Sequence, residues 1–331
     1  MTTVNPLDVM PTMAGDLRRV EDELLLAAHS DDPYLTEIAS HLIKAGGKRV
    51  RPGFSIAAAA TAFTASQPAS ADAITAGVAV ELVHLGSLYH DDVMDDAITR
   101  RTVESVNAKW GNLKAILAGD FLLARASELA SSLGVEVAGL LAATIARLCE
   151  GQVLELRDTY DTNRTEAAYL RSIDGKTAAL LGTACRAGGI VAELSPGHIE
   201  SLTTFGNSYG MAFQVVDDVL DLVSTDAELG KPAGHDMEEG VYTLPVLRAL
   251  ASEAGPALRP LLTDHMSPDD RSQAVEIVRS GGWITGSIEV AREHADRAVG
   301  ALAALPESPG VEGLSAAAKH LVDSVEAVAA R

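Results

Sequence analysis

The chain is predicted to fold as an all-α protein, a single domain over residues 1–331 built from about 10–13 helices. Three observations carry this. The chain is 47% hydrophobic but only 4% aromatic, and it is rich in alanine and leucine; that composition favours helices, whereas sheets draw on aromatic and β-branched side chains. Apolar residues recur at helical spacing from Asp16 to the C-terminus. No segment alternates apolar and polar residues over the length of a strand, and no repeat with a period of roughly 20–50 residues appears.

Taken in order, residues 1–12 read as a flexible N-terminal tail. Helices follow near residues 14–29, 33–44, 53–65, 71–95, 113–132, 135–159, 165–187, 196–224, 241–254, 268–280, 283–304 and 311–329. Pro33 and Pro52 can open the second and third, since proline in a first helical turn gives up an N–H that has no partner there. Gly111-Asn112 separates the fourth helix from the fifth, and Gly188-Gly189 and Ser195-Pro196-Gly197 break the chain before the eighth. Residues 44–52 and 229–240 are rich in charge and glycine and read as non-helical.

The formal net charge is −20, from 46 acidic against 26 basic residues. That balance opposes bulk attraction to nucleic acid or to an anionic membrane. An anionic substrate would have to be held by local basic islands and by metal. Cys149 and Cys185 lie in apolar helical patterns without metal-ligand spacing, and read as buried free thiols of a reducing compartment. No signal peptide is read in Met1–Pro11, and apolar runs such as Ile56–Ala65 are too short to span a bilayer. A cytoplasmic protein with no transmembrane segment and no nucleic-acid partner is expected.

Two near-copies of one acidic cluster, Asp91-Asp92-Val93-Met94-Asp95 and Asp217-Asp218-Val219-Leu220-Asp221, point to chemistry. On a helix, the first and last carboxylates of D-D-x-x-D lie on one face, a turn apart. A single copy is more often a solvated acidic face or an N-terminal turn favoured by the helix dipole. Here the flanks are apolar, Ala79–Gly86 before the first and Tyr209–Phe213 before the second, and crowded carboxylates in such surroundings are costly without a counter-charge. Oxygen-only clusters that leave sites for water suit Mg²⁺ bound together with substrate phosphates. Two of them imply a polyphosphate clamped from two sides.

Basic residues gather where such a substrate would need them. Gly46-Gly47-Lys48-Arg49-Val50-Arg51-Pro52 sets three cations between a glycine pair and a proline. The glycines would let backbone N–H groups approach a phosphate; a helix C-cap with basic residues is the other reading. Arg100-Arg101 follows the first cluster, and Arg offers bidentate phosphate contacts. His84 lies two turns before Asp91 on the same face, and Gln214 three residues before Asp217. Lys176-Thr177 interrupts an apolar helical stretch, where a lysine wants an anionic partner; the glycine spacing before it is not that of a P-loop.

These residues resemble the trans-isoprenyl diphosphate synthases, also called polyprenyl synthetases, over roughly Lys44 to Pro245. The resemblance rests on Gly46–Pro52, Leu88–Asp95 with Arg100-Arg101, Gly119-Asp120-Phe121-Leu122, Lys176-Thr177-Ala178, Phe213–Asp221 and Gly230-Lys231-Pro232. It implies a helical bundle around a central cavity, and a prenyltransferase that adds isopentenyl diphosphate units to an allylic prenyl diphosphate. Asp91, Asp95 and Asp217 would bind Mg²⁺, three ions per site when substrate is bound, supported by Asp92, Asp218 and Asp221. Lys48, Arg51, His84 and Arg101 would hold isopentenyl diphosphate; Arg100, Lys176, Thr177, Gln214 and Lys231 would hold the allylic diphosphate. The family pattern G-K-x-T-L-P departs here, with Val241 in Gly240-Val241-Tyr242-Thr243-Leu244-Pro245, which puts one peripheral phosphate contact in doubt. A homodimer is implied, with Ala115–Ala146 as the candidate interface.

A terpene cyclase is the runner-up, disfavoured by the full second D-D-x-x-D and the basic loop. A non-catalytic subunit of a heteromeric synthase would have no need of six aspartates. For product length, Gly86 and Ser87, then Val83 and Val80, form a face below Asp91 without an aromatic floor. One helical turn rises about 5.4 Å, close to an isoprene unit. A C30–C50 product of the kind used for quinone side chains is expected, with geranylgeranyl diphosphate as the alternative.

Overall fold

Residues 6–224 and 233–330 are described by the computed structural model. The helices are α1 (Met13–Ala27), α2 (Pro33–Ala39), α3 (His41–Lys44), α4 (Val50–Ala60), α5 (Ala71–Met94), α6 (Val106–Trp110), α7 (Asn112–Ser132), α8 (Val135–Arg157), α9 (Glu166–Ile173), α10 (Ala179–Val191), α11 (Pro196–Val223), α12 (His235–Glu238), α13 (Leu244–Leu250), α14 (Gly255–Leu258), α15 (Pro268–Ser280), α16 (Trp283–Ala301) and α17 (Pro309–Ala329). Among the described residues the one sheet is an antiparallel pair, β1 (Thr99–Arg100) with β2 (Val103–Glu104). The fold is all-α, as its composition predicts. The chain divides into two compact units. The first takes residues up to Ile145, Leu180–Gly206 and Ala301–Ala316; the second takes Ala146–Ala179, Asn207–Gly300 and Ala317 onward.

In the first unit α5 is the central helix. Ser70 caps it, its hydroxyl accepting from the Ala73 N–H at 3.1 Å. Residues 76–83 are buried without a break, so the helix is enclosed on every side rather than amphipathic. Tyr89, fully buried, donates to the carbonyls of Ile38 (2.7 Å) and Ala39 (3.0 Å) and ties α5 to the end of α2.

Small residues let the neighbouring helices close on this core. A Cβ on Gly77 would lie 3.0 Å from Pro52 Cα, and one on Gly310 would lie 2.3 Å from the Ala57 carbonyl oxygen. Gly188-Gly189 corrects an expectation. The pair does not break a helix but lies inside α10, because a Cβ on Gly188 would stand 2.1 Å from the Ser55 carbonyl oxygen of α4. Close approach, not backbone freedom, explains that glycine.

Other boundaries move for local reasons. Residues 33–44 divide at Ser40 into α2 and α3, and α4 starts at Val50, two residues before Pro52. Residues 165–187 form no single helix: a π segment, Asp174–Ala178, separates α9 from α10. The short α6 and α12 fall in stretches where no helix was expected. Residues 6–12, expected within the tail, are packed: Leu7 and Met10 are buried, and a Cβ on Gly53 would lie 2.6 Å from Leu7 Cδ1. Cys185 is buried as expected, but Cys149 is exposed on α8.

In the second unit α15 opens with a reciprocal cap. The Ser267 hydroxyl accepts from the Asp270 N–H (3.1 Å), and the Asp270 carboxylate accepts from the Ser267 N–H (3.3 Å). α13 is mostly buried. Among the described residues two helices, α5 and α8, are apolar and long enough to cross a membrane by length and composition, where none was expected. For α5 the apolar window is 67% buried within the protein, as befits a core helix. That of α8 is 22% buried, and on α7 and α8 Leu113, Leu117, Val135 and Val153 are all more than half exposed.

Candidate active site

The first unit carries the first acidic cluster at the end of α5. Asp91 is half-buried and Asp95 exposed one turn later, while Asp92 faces inward, fully buried. The phase of the helix makes this split, with positions i and i+4 on one face and i+1 turned 100° away. Asp92 is held by Arg100, whose Nε and a terminal nitrogen reach Oδ1 at 2.7 and 2.6 Å. Burial raises the Asp92 carboxyl above its ordinary value, and the Arg100 charge opposes the shift. Arg100, expected to hold an allylic diphosphate, is thus occupied with the middle aspartate.

Arg100 and Arg101 are aimed by the β1–β2 hairpin. Its two turn residues, Arg101 and Thr102, have φ of 52° and 65°, the left-handed pair that a two-residue hairpin demands and that side chains adopt at a cost of about 1–2 kcal/mol each. Arg101 donates to the carbonyls of Leu42 (3.2 Å) and Gly46. The Gly46–Pro52 segment meets it there. Gly46 has φ of 84°, and a Cβ on Gly47 would lie 2.9 Å from an Arg101 nitrogen and 3.2 Å from an Arg49 nitrogen. Lys48 is exposed and Arg51 half-buried. The His84 imidazole is pushed well below its ordinary value, first by burial and then by the charges of Arg51, Arg101, Arg100 and Arg49. Both effects favour the neutral imidazole. The structure therefore brings Arg51, His84 and Arg101 into one electrostatic neighbourhood.

Of the pocket residues, Val80 and Val83 are buried and Ser87 is half-buried, its hydroxyl donating to the His84 carbonyl at 2.8 Å. Gly86 has a second reason to be small. A Cβ there would lie 3.0 Å from the Gly119 carbonyl oxygen on α7 and 3.2 Å from Leu123.

The second unit carries the second cluster on α11. Asp217 is exposed, whereas Asp218 and Asp221 are buried. Tyr169 donates to Asp218 Oδ2 at 2.5 Å, and the Gln214 amide donates to Asp218 Oδ1 at 2.9 Å and accepts from the Thr177 hydroxyl at 2.6 Å. Burial raises Asp218 well above its ordinary value, and Asp236 and then Asp217 add to the shift while Tyr169 and Gln214 oppose it. Asp221 accepts from the Gly234 N–H through its backbone carbonyl (2.9 Å) and lies 3.4 Å from the Asp236 N–H. Val241, at the departure from the family pattern, closes this turn through its N–H to the Asp236 carbonyl at 2.8 Å.

Lys176 and Thr177 sit on the π segment, a form that recurs at functional sites. It is seated on α8 through glycine on both sides: a Cβ on Gly175 would lie 2.8 Å from the Arg147 carbonyl oxygen, and one on Gly151 would lie 2.4 Å from the Lys176 nitrogen. The Lys176 ammonium pairs with Glu155 at 2.5 Å. Lys231 lies outside the described residues.

Among the described residues, no three His, Cys, Asp or Glu side chains are gathered closely enough to hold a metal by themselves. Carboxylates in ones and twos fit a hard cation that completes its shell with water and phosphate oxygens. The carboxylates crowding Asp218 are a setting that such a cation would relieve.

A family model described as polyprenyl synthetase matches residues 32–279. The chain belongs to the polyprenyl synthetase family. This polyprenyl synthetase is 39% identical to a nonaprenyl diphosphate synthase of Mycobacterium tuberculosis, over 92% of this chain and 91% of that protein. It is 37% identical to a heptaprenyl diphosphate synthase component 2 of Geobacillus stearothermophilus, over 89% and 91%. A polyprenyl synthase from Caulobacter crescentus, solved with calcium and isoprenyl diphosphate, superposes with a TM-score of 0.88 at 33% identity, covering 96% of this chain and 97% of that one.

Sequence reasoning passed over four side chains of this polyprenyl synthetase. Glu81 is an acid within an apolar helix and was as visible as His84. Arg49 was seen as one cation of three. Tyr169 and Glu155 carry no local signal, since their partners are 49 and 21 residues away. Replacing Arg100 with Gln should leave Asp92 buried without a cation and destabilise the protein by about 3 kcal/mol. Adding Asp92→Asn should recover most of that loss. Urea unfolding of both variants checks it; equal stability of Arg100→Gln and wild type would show that the pair holds nothing.

Proposed function

We propose that this chain is a trans-polyprenyl diphosphate synthase of medium or long product length. It adds isopentenyl diphosphate head-to-tail to an allylic prenyl diphosphate. The observation that carries the reading is the pairing of two intact D-D-x-x-D clusters with the basic Gly46–Pro52 segment, in a chain that aligns over nine-tenths of its length with a nonaprenyl diphosphate synthase. A terpene cyclase has no use for the second anion site that this segment would provide.

The roles divide by unit. In the first, Lys48, Arg51, His84 and Arg101 hold isopentenyl diphosphate. In the second, Thr177 and Gln214 orient the allylic diphosphate, and Lys176 exchanges Glu155 for it. Lys231 is assigned to the same group on the family pattern. Asp91, Asp95 and Asp217 are the ligands of Mg²⁺, three ions with substrate bound, which would stabilise the charge appearing on the leaving diphosphate. Arg100 keeps buried Asp92 paired, and Tyr169 and Gln214 keep Asp218 hydrogen-bonded, so that the flanking carboxylates are held at fixed angles. As the allylic C–O bond breaks, the double bond of isopentenyl diphosphate attacks C1 and a proton leaves, with the released diphosphate as base.

The two free cysteines suit a cytoplasmic setting. A homodimer is supported by the uncovered apolar side chains of α7, Leu113, Ile116 and Leu117, a face costly to leave in water. The two units are read as parts of one catalytic domain.

Incorporation of labelled isopentenyl diphosphate by the purified chain alone tests the activity and excludes a purely structural subunit. Asp91→Ala and Asp217→Ala should each lower turnover by about 10²–10³ with unchanged melting temperature; elongation at near wild-type rate by Asp217→Ala would overturn the metal assignment. Sedimentation should give a species of twice the 34.5 kDa chain mass; a purely monomeric protein at working concentration would refute the dimer. A chain running along α5 passes Ser87, so Ser87→Phe should shorten a C30–C50 product to about C15–C20, one isoprene unit per turn of about 5.4 Å. An unchanged product distribution by chromatography would place the chain elsewhere.

A further inference from the structure

Arg49 is the cation of Gly46–Pro52 that no substrate role accounts for. It is 4% exposed and adopts φ of 47°, a left-handed conformation that a side chain enters only when its surroundings hold it there. Four hydrogen bonds hold it. Nε and one terminal nitrogen meet the Glu21 carboxylate at 2.5 and 3.0 Å, the other terminal nitrogen meets Glu81 at 3.0 Å, and the Ile43 carbonyl accepts at 3.0 Å.

Glu81 is 2% exposed, on the uninterrupted buried run of α5, and its electrostatic neighbours are cations. Arg51 and Arg101 both feel its charge, which favours their protonated forms against the burial that lowers them. Among the described residues neither forms an ion pair with a carboxylate. Arg101 is held by carbonyl oxygens, and Arg51 Nε is buried without a hydrogen bond. The Arg101 and Arg49 guanidiniums approach the same point, beside Gly47. A buried carboxylate next to three guanidiniums will pair with whichever is offered. Arg49 is the one offered.

We infer that Arg49 is a positioning residue for the isopentenyl diphosphate site: by engaging Glu81 and Glu21 it keeps the Glu81 carboxylate off Arg51 and Arg101, whose guanidiniums remain open to a diphosphate. The inference rests on the assignment of Lys48, Arg51, His84 and Arg101 to that substrate. It gives the two glutamates a purpose. Glu81 and Glu21 offset the charge of three neighbouring guanidiniums, and Arg49 directs the Glu81 carboxylate away from the two assigned to substrate.

Steady-state kinetics of wild type, Arg49→Gln, Glu81→Gln and the double variant test it, each substrate being varied in turn and the melting temperature recorded. Arg49→Gln should raise KM for isopentenyl diphosphate by about tenfold or more and leave the allylic KM within about twofold. Removing the freed carboxylate should rescue the site, so the double variant returns to within about threefold of wild type. Glu81→Gln alone keeps Arg49 on Glu21 and should also stay within about threefold. A purely structural Arg49 gives the opposite order, and a double variant no better than Arg49→Gln would overturn the inference. So would an equal rise in both KM values. Should Arg49→Gln fail to fold, the double variant, with two neutral amides, decides alone: KM for isopentenyl diphosphate within about threefold upholds the inference, and a rise of about tenfold overturns it. Lys48→Ala separates this from the assignment beneath it, because a KM rise confined to the allylic substrate would remove the isopentenyl diphosphate site itself.

Discussion

The balance of charge around Arg49, Arg51 and Arg101 is the constraint that shapes this corner of the first unit. Arg49, Arg51 and Arg101 share one neighbourhood at the edge of a helix whose residues 76–83 are wholly buried. Cations in such surroundings lose hydration that only an anion or a set of carbonyls can replace. Glu81 and Glu21 supply the anions, and the carbonyls of Leu42, Ile43 and Gly46 supply the rest. Asp92 with Arg100 repeats the solution on a smaller scale.

The second constraint is how closely backbones can pass. Glycine appears where one helix must touch another's main chain: Gly188 of α10 against α4, Gly86 with Gly119 between α5 and α7, and Gly151 with Gly175 beneath the π segment. The last of these places functional groups. The Gly151–Gly175 crossing sets Lys176 within reach of Glu155 and Thr177 within reach of Gln214. Side-chain geometry here is inherited from backbone proximity.

How much of this was legible follows from how far each signal reaches along the chain. Periodicity found α5, α7, α8, α11 and α15 to within a few residues, because their apolar spacing is continuous. It missed the π segment, since one extra residue in a turn changes the phase without changing the composition. It misread Gly188-Gly189, because a glycine that allows close approach looks like one that ends a helix until the neighbour is seen. The aspartates were plain, because repetition and spacing mark them. The second layer was not: Tyr169 and Glu155 are ordinary residues made specific by distant partners, and Glu81 acquires meaning only beside three arginines.

The net charge of −20 has a kinetic consequence. At long range such a charge repels anionic diphosphates; at short range, on the proposed assignment, the clustered cations attract them. Dissolved ions screen charges beyond about 10 Å at 0.1 M ionic strength but act weakly on buried contacts. Moderate salt therefore weakens the outer repulsion more than the inner grip, and substrate capture should quicken before it slows. On that assignment the first encounter runs uphill, and capture falls to the few ångströms around the guanidiniums.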